Sequence, residues 1–324
     1  MPAVVFTGSG GNEVVAFVER ADPAPGADEV LIKVRYAGLN HADLGQRRGT
    51  YPAPAGTVAD IPGLEVAGTV LAIGDHVDEW RVGDRVMGLI GGGGLADRVV
   101  THRRHLVRIP DSIDDRSAAA FPEAFATAHD AIRSQAQLRM GETLLVQGAN
   151  GGVGSAAIQI AVAAGARAIG TSRSADGRAF VDSLGGEGIS PTGCVDEIQR
   201  LAGGAGVDVV LELVGAPNIP NDIEMLRTDG RIVVIGIGAG SHADLPLGLL
   251  LTKRATIRAS GLRYRNIEEK ALVMRNLERE VLPHLSRGSL VTSIDHVFSA
   301  ADVQAAFDHL ENGSKRGKVL IEFA

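Results

Sequence analysis

Hydrophobic residues in the N-terminal third of the chain occur in short runs, and Gly, Pro or Asp separates one run from the next. The runs are rich in Val and cover residues 4–6, 14–18, 29–34, 65–70 and 83–88. Runs of this length with turn residues on both sides are typical of β-strands. Many short strands in succession predict a small barrel-like β-domain that extends to about residue 120.

The pattern changes near Phe121, where apolar runs begin to alternate with segments of helical spacing. We predict a helix at 123–135, a strand at 143–147, a helix at 155–164, a strand at 168–171, and later strands at 207–214 and 231–235. Such alternation is typical of a parallel sheet that is covered by helices. The fold class is therefore α/β, with a doubly wound parallel sheet following the β-domain.

The C-terminal part has a mixed pattern. Apolar residues at helical spacing predict one long amphipathic helix over residues 266–286. A strand at 294–298, a helix at 300–310 and a strand at 318–323 complete the chain. We expect these last elements to return to the first domain.

The glycine-rich stretch at 148–154 carries the strongest signal for function. A buried apolar strand ends there in a glycine turn that opens directly into an Ala-rich helix, which is the context in which such a motif binds a dinucleotide. Gly151 would allow the backbone to approach a pyrophosphate, and Gly154 would allow the helix to pack closely. Free amides at the helix start would receive the phosphates. The candidate residues for this contact are Asn150, Gly151, Gly152 and Val153.

The residues after the next strand indicate which nicotinamide cofactor binds. An NAD site usually carries Asp or Glu there, to bind the ribose hydroxyls. This chain has Ser172 and Arg173 instead. These side chains can bind the 2′-phosphate of NADPH, whereas a carboxylate would repel it. The sequence therefore predicts NADPH as the cofactor.

Composition argues against several other classes of protein. The formal net charge of -7 argues against nucleic acid as the main partner, because phosphates need a basic face. We expect no membrane span, since no apolar run approaches ~18 residues, and we find no signal-peptide pattern. The single cysteine, Cys194, excludes an intramolecular disulfide and favours a cytoplasmic location. It also leaves a structural zinc site without the several thiolates that it usually needs.

Several short motifs follow one another in a specific order from end to end of the chain. They are AGLNHAD at 37–43, RGTYP at 48–52, PGLEVAG at 62–68, GDRV at 83–86, TA at 127–128, the loop at 148–154, VVIG at 233–236 and RGKV at 316–319. In these motifs the chain resembles the zinc-free quinone oxidoreductase branch of the medium-chain dehydrogenase/reductase superfamily. The resemblance implies a GroES-like β-domain formed by residues 1–122 and 263–324, and a Rossmann domain formed by residues 123–262. It also implies hydride transfer from NADPH to a quinone or to the C=C bond of an enone.

The same resemblance bears on metals. Zinc-dependent relatives place a cysteine ligand about where Asn40 stands, with further Cys, His and Glu ligands downstream. Glu65 and the scattered histidines could not assemble such a site alone. Oxidation of an alcohol needs a metal to stabilise alkoxide, whereas a conjugated acceptor spreads the charge over its π-system. We therefore expect no bound metal.

The resemblance further implies roles for residues outside the glycine loop. Asn40 matches an asparagine beside the nicotinamide. Tyr51 matches a tyrosine that lines the active-site cleft, where a phenol could hydrogen-bond or protonate the acceptor oxygen; a packing role is the alternative. Thr127 would lie against the nicotinamide or its phosphate. Further cofactor-binding candidates stand at strand ends and near the C-terminus: Val214, Gly236, Ile237 and Lys318, the last of which could equally be a solvated lysine.

Three functions fit these features. The first is an NADPH-dependent reductase of quinones or similar conjugated carbonyl compounds. The second is an enoyl-thioester reductase acting on CoA or acyl-carrier substrates, which Tyr51 would suit equally well. The third is a protein that binds NADPH without catalysis, as a redox sensor or a structural component. A strand at residues 256–260 could pair across a two-fold axis, so we expect a homodimer.

Overall fold

The computed structural model describes residues 1–312 and 315–323. The chain divides into two compact units. The first unit combines Met1–Ala126 with Leu262–Ala324, and the second is the continuous segment Thr127–Gly261. Within residues 1–312 and 315–323, no helix combines the length and the apolar character that crossing a lipid bilayer requires.

The N-terminal part of the first unit is built mainly from strands. These are β1 (Pro2–Phe6), β2 (Val15–Glu19), β3 (Glu29–Leu39), β4 (Glu65–Ile73), β5 (Arg85–Leu89), β6 (Arg98–His102) and β7 (Leu106–Arg108). Its helices are α1 (His41–Arg47) and α2 (Asp115–Ala119). A third helix, α3 (Pro122–His129), begins in the first unit and ends in the second, where it continues as a π-helical segment, Asp130–Gln135. The predicted helix at 123–135 is therefore present, with a wider turn in its second half.

Strands and helices alternate through the second unit, as the sequence predicts. Its strands are β8 (Thr143–Gln147), β9 (Arg167–Thr171), β10 (Glu187–Ile189), β11 (Val207–Glu212), β12 (Leu226–Val234) and β13 (Thr256–Ala259). Its helices are α4 (Gly152–Ala163), α5 (Ala175–Ser183), α6 (Cys194–Leu201), α7 (Ile219–Met225) and α8 (Leu247–Lys253).

The C-terminal elements belong to the first unit. They are α9 (Ile267–Glu280), α10 (Leu282–Ser286), β14 (Ile294–Ser299), α11 (Val303–Glu311) and β15 (Lys318–Glu322). The prediction of one long helix over residues 266–286 is wrong at one point, because the helix is interrupted at Val281 and a second helix begins after it. Pro283 lies in the first turn of α10, a position where a residue without a backbone N–H is tolerated. In the interior of a continuous helix the same proline would remove a hydrogen bond and clash with the preceding turn, so α9 cannot extend through it.

The strands of the second unit form one parallel sheet. Across residues 127–261, all of which are described, the order is β10-β9-β8-β11-β12-β13. Every pairing is parallel. This order is that of a doubly wound sheet, in which the strand order reverses beside the first strand. Every residue of β11 is buried, as expected for a strand with helices on both faces. The carboxyl ends of β8, β9, β11 and β12 therefore lie side by side.

The strands of the first unit pair mostly in antiparallel fashion. In the described residues the order is β14-β15-β3-β4-β5-β7, with β6 also paired to β3. The C-terminal strand β15 pairs with β3, so that Val319 lies opposite Leu39. Residues from the N-terminal and C-terminal parts of the chain pack together in the core of this unit. The rings of Phe6 and Phe307, for example, meet edge to face with 5.7 Å between their centroids. The tail thus completes the β-rich unit.

Candidate active site

The turn between β8 and α4 is shaped by two glycines. Gly148 follows β8 with φ at +76°, a conformation that favours glycine. At Gly154 a Cβ would lie 2.6 Å from Cα and 2.7 Å from the carbonyl oxygen of Ala149. A side chain at this position would therefore force the helix away from the turn. The two glycines hold the first turn of α4 close against the end of the strand.

The first turn of α4 has the geometry of an anion-binding site. Gly151, the residue before the helix, has extended backbone with φ -81° and ψ 177°. A Cβ there would meet nothing within 4 Å, so the space beside Gly151 is open to a ligand. The first amides of a helix, here those of Gly152 and Val153, have no intrahelical carbonyl to bind and carry partial positive charge. Together with Asn150 beside them, these groups fit a pyrophosphate.

Two arginines lie at the end of β9. Ser172 is buried, and Arg173 beside it is exposed. Nη1 of Arg178 donates to the carbonyl oxygens of Ser172, at 3.3 Å, and Arg173, at 3.2 Å. Arg178 is not among the site residues that we predicted from the sequence. The helical spacing from Ser174, which caps α5, is the signal that would have found it.

The remaining candidates of the second unit fall at the ends of neighbouring strands, except for one. Val214 follows β11, and its backbone N–H donates to the carboxylate of Glu212. Gly236 follows β12, where a Cβ would lie 2.0 Å from the carbonyl oxygen of Leu213. Ile237 beside it is 59% exposed. Thr127 is instead part of α3, where its side chain is buried.

In the first unit, Asn40 and Lys318 meet at a buried carboxylate, that of Glu65. Lys318 Nζ lies 2.6 Å from Glu65 Oε1 and also donates to Asn40 Oδ1 and to the carbonyl oxygen of Leu39. Asn40 Nδ2 donates to Glu65 Oε1 at 3.0 Å. Gly38 makes room for the carboxylate, since a Cβ there would lie 2.1 Å from Oε1. Lys318 is thus a buried lysine, and the alternative of a solvated side chain is excluded.

Tyr51 lies in a second cluster of the first unit. The guanidinium of Arg263 lies over its ring, 5.1 Å from the centroid, and donates to its carbonyl oxygen at 3.0 Å. The ring of Tyr264 meets it edge to face at 5.2 Å. Burial, and after it the neighbouring Tyr264 and Glu123, raises the pKa of Tyr51 to about 12. The phenol therefore keeps its proton at neutral pH and can serve as a hydrogen-bond donor.

His41, next to Asn40, is a weak candidate for a proton donor. Its Nε2 lies 3.4 Å from Nζ of Lys315. Loss of solvation, and after it the charges of Lys315 and Lys318, lowers the pKa of His41 to about 4. The imidazole is therefore neutral at pH 7 and carries no proton that it could readily give up.

Comparison with known proteins identifies the family. Residues 152–279 match the family described as zinc-binding dehydrogenase, and residues 26–111 match the alcohol dehydrogenase GroES-like domain. The chain is 32% identical to quinone oxidoreductase-like protein 2 of Bos taurus over 312 residues, which cover 94% of this chain and 88% of that protein. The chain belongs to the quinone oxidoreductase branch of the medium-chain dehydrogenase/reductase superfamily. This confirms the predicted resemblance and the fold class, a GroES-like domain with a Rossmann-type sheet.

Other proteins to which this chain is similar differ in length and in the functions for which they are named. A phenolphthiocerol/phthiocerol polyketide synthase protein of Mycobacterium tuberculosis is 35% identical over 301 residues, 92% of this chain. The chain spans only 14% of that protein's length. The crystal structure of Escherichia coli quinone oxidoreductase complexed with NADPH has 25% identity and a TM-score of 0.90, with full coverage of both chains. The CurK enoyl reductase has 28% identity and a TM-score of 0.86, and the match covers 100% of this chain and 99% of that one.

The residues of this medium-chain reductase do not fit the zinc that one family description names. Across residues 1–312 and 315–323, no three or more His, Cys, Asp or Glu side chains gather where they could hold a metal ion. The carboxylate of Glu65 is already paired with the ammonium of Lys318. A divalent cation at the Asn40 amide would be repelled by that ammonium.

Proposed function

We propose that this chain is an NADPH-dependent, zinc-independent reductase that transfers hydride to quinones or similar conjugated carbonyl compounds. The observation that carries the proposal is the end of β9. Ser172, Arg173 and the guanidinium of Arg178 gather there, and none of residues 172–174 is a carboxylate. A dinucleotide held by the loop at Gly151 would meet hydrogen-bond donors at this strand end. Those donors suit a 2′-phosphate.

The phosphate loop and the strand ends would hold the cofactor. The amides of Gly152 and Val153 would bind the pyrophosphate, and Ser172 and Arg173 the 2′-phosphate. We also propose cofactor contacts for Asn150, Gly151, Thr127, Val214, Gly236 and Ile237. When it is bound, NADPH supplies the hydride that the acceptor needs.

Tyr51 and Asn40 are the proposed catalytic residues. The phenol of Tyr51 is protonated at neutral pH, so it can donate to the acceptor oxygen as negative charge develops there. The amide oxygen of Asn40 accepts from Lys318, and its Nδ2 donates to Glu65 Oε1 and to the carbonyl oxygen of Gly38. A direct bond from Asn40 to the acceptor or the cofactor would require Nδ2 to exchange one of these partners. Lys318 directs its ammonium to three acceptors of its own unit. We propose that it contributes positive potential at the cofactor; a direct bond would require it to exchange one of these partners.

An enoyl-thioester reductase is the second candidate. Two comparisons favour it: the CurK structure is an enoyl reductase, and the Mycobacterium tuberculosis protein belongs to a polyketide synthase. Protonation of an enolate is common to both chemistries, so Tyr51 would serve either. The third candidate, a non-catalytic NADPH-binding sensor or structural protein, has no specific observation in its favour.

A single set of assays separates these functions. We would follow NADPH absorbance with 1,4-benzoquinone, 9,10-phenanthrenequinone and crotonyl-CoA, with and without added zinc or a chelator. We expect rapid oxidation with the quinones and no response to zinc or to the chelator. Oxidation with crotonyl-CoA alone would establish the enoyl reductase instead. Tight NADPH binding without turnover of any acceptor would establish the sensor.

We propose that the chain is a cytoplasmic homodimer. Within residues 127–261, β13 is the last strand of the sheet order, and pairing with a second copy would extend the sheet. The neighbouring helix α8 exposes Leu247 and Leu251, at 70% and 80%. The free thiol of Cys194 is consistent with a reducing compartment. Light scattering during size-exclusion chromatography should give twice the chain mass of 33.7 kDa.

A further inference from the structure

A line of buried hydrogen bonds runs beneath the phosphate loop. Thr171 and Gln147 are the last residues of β9 and β8. The backbone N–H of Gly148 donates to Thr171 Oγ1 at 3.0 Å, and that hydroxyl donates to Gln147 Oε1 at 2.9 Å. Gln147 Nε2 in turn donates to Asp222 Oδ1 at 2.7 Å. The first glycine of the loop is therefore connected to a carboxyl group on α7.

That carboxyl group lies beside a second acid. Asp222 and Glu212 are both completely buried, and Glu212 stands opposite Gln147 in the pairing of β11 with β8. Glu212 Oε1 accepts from the backbone N–H groups of Val214 and Gly215, and its Oε2 accepts from Asn218. Glu212 thus has the donors that an ionised carboxylate requires.

Asp222 has the opposite environment. Among the described residues, no donor reaches its Oδ2, although this atom is fully buried. A buried carboxylate oxygen without a donor is costly, whereas a protonated one becomes a donor itself. Burial first, and then the charge of Glu212 and a hydrogen bond with it, raises the pKa of Asp222 far above its ordinary range.

We propose that Asp222 and Glu212 share a single proton, and that the neutral Asp222 is the positioning residue that anchors the phosphate loop. Its Oδ2–H donates to Glu212, while its Oδ1 holds the amide of Gln147. Gln147 then orients the hydroxyl of Thr171, which holds the loop at Gly148. The pair also keeps a single negative charge beneath the site. The inference rests on the proposed binding of NADPH for its functional meaning, but the relay itself exists without the cofactor.

Three substitutions test the relay. Asp222→Asn keeps an acceptor for Gln147 and a donor for Glu212, so it mimics the protonated acid. Asp222→Ala removes the anchor, and Thr171→Val cuts the relay at the loop while keeping the shape of the side chain. Val209→Ala is the control, because it creates a cavity in the same strand as Glu212 without touching the relay.

The first measurement uses the protein without cofactor. Hydrogen exchange of peptides covering residues 148–156 reports how firmly the loop is held. We expect about tenfold faster exchange in Asp222→Ala and Thr171→Val, and a change below about twofold in Asp222→Asn. Val209→Ala should lower the unfolding temperature without changing exchange in the loop.

The second measurement is the NADPH dissociation constant by fluorescence. We expect an increase of about tenfold for Asp222→Ala and for Thr171→Val, with Asp222→Asn within about twofold of wild type. Asp222→Ala and Thr171→Val interrupt the same relay. The double variant should therefore also bind NADPH about tenfold more weakly than the wild type, and not more weakly by the product of the two single effects.

The third measurement follows pH. The titratable groups with which Asp222 interacts are Glu212 on β11 and the Cys194 thiol on α6. The pKa of Asp222 is raised from 3.8 to about 9 in the folded protein, so the stability that its proton contributes is present below pH 3.8 and is lost as pH rises towards 9. As Asp222 ionises, the wild type gains a second buried charge and should also lose NADPH affinity. Asp222→Asn should keep its NADPH affinity and stability over the same pH range, because the amide does not titrate. Cys194→Ala should show the same pH dependence as the wild type.

The outcomes are distinct. Wild-type loop exchange in folded Asp222→Ala, or in Thr171→Val if Asp222→Ala does not fold, overturns the proposal. The proposal is also overturned if Asp222→Asn loses as much loop protection and NADPH affinity as Asp222→Ala, because this would show that an amide cannot replace the acid. A wild-type protein that binds no NADPH would refute the proposed function, while the exchange measurements would still decide the relay.

Discussion

The ammonium of Lys318 lies 2.6 Å from Oε1 of Glu65, and neither side chain is more than 6% exposed. The other oxygen of Glu65 accepts from the backbone N–H of Glu123 at 2.8 Å. The pair joins β15, near the C-terminus, to β4. A buried ion pair of this kind contributes little compared with a well-packed apolar pair, but it is costly to break, because the remaining partner is a buried unpaired charge.

We therefore expect Lys318→Met to lower the free energy of unfolding by about 3 to 5 kcal/mol. The double variant Lys318→Met/Glu65→Gln should recover at least half of this loss, since no charge then remains. Urea titrations followed by fluorescence or circular dichroism would measure both. Arg279→Ala is the control, because its exposed pair with Glu280 should be worth less than about 1 kcal/mol. A loss of that small size for Lys318→Met would contradict the prediction.

Replacement of Arg173 tests the choice of cofactor. Arg173→Ala should raise the KM for NADPH about tenfold or more, because a charge-assisted contact with the 2′-phosphate contributes roughly 1.5 to 3 kcal/mol. The KM for NADH, which lacks this phosphate, should change less than about twofold. Arg178→Ala should act in the same direction, since its guanidinium holds the carbonyls of Ser172 and Arg173. Arg200→Ala, an exposed arginine on α6, should leave both constants unchanged; equal losses for both cofactors would show that Arg173 does not read the phosphate.

Loss of the Tyr51 hydroxyl tests its proposed role. Tyr51→Phe keeps the ring against Arg263 and Tyr264, so the packing should survive. It removes the donor to the acceptor oxygen, and we expect kcat for quinones to fall about 10- to 100-fold with little change in the KM for NADPH. Tyr264→Phe is the matched control, because it loses only the bond from its own hydroxyl to Pro52. If both variants keep wild-type kcat, Tyr51 is a packing residue.

The features that could be predicted from sequence are local ones. The loop at 148–154 was recognisable because its strand, glycines and helix are consecutive, and the parallel sheet because strands and helices alternate. The pair of Lys318 and Glu65 could not be predicted, since residues so far apart show no common pattern. Asp222 lies on a short helix whose spacing gives no reason to expect a buried acid. The break before Pro283 was visible in the sequence, but the apolar spacing on either side suggested a continuous helix.

The pH dependence of stability should reveal the buried imidazole of His105. This side chain is buried, and its Nε2 lies 3.3 Å from the carbonyl oxygen of Ile267 at the start of α9. Burial, and after it the charge of Lys270, lowers the pKa of His105 from 6.5 to about 4. Between these two values the unfolded chain binds a proton that the folded protein does not. The contribution of the neutral imidazole of His105 to the stability of the folded protein is therefore intact above pH 6.5 and is lost as pH falls towards 4.

We expect the wild type to lose about 2 to 3 kcal/mol from this one group over that window. His41, whose pKa is also lowered to about 4, adds a further loss in the same direction. His105→Gln cannot titrate, so its free energy of unfolding should fall less steeply than that of the wild type as pH decreases. Denaturant titrations at intervals from pH 7 to pH 4 would measure the difference, with the exposed His242→Gln as the control. Parallel curves for His105→Gln and the wild type would mean that protonation of His105 does not oppose folding.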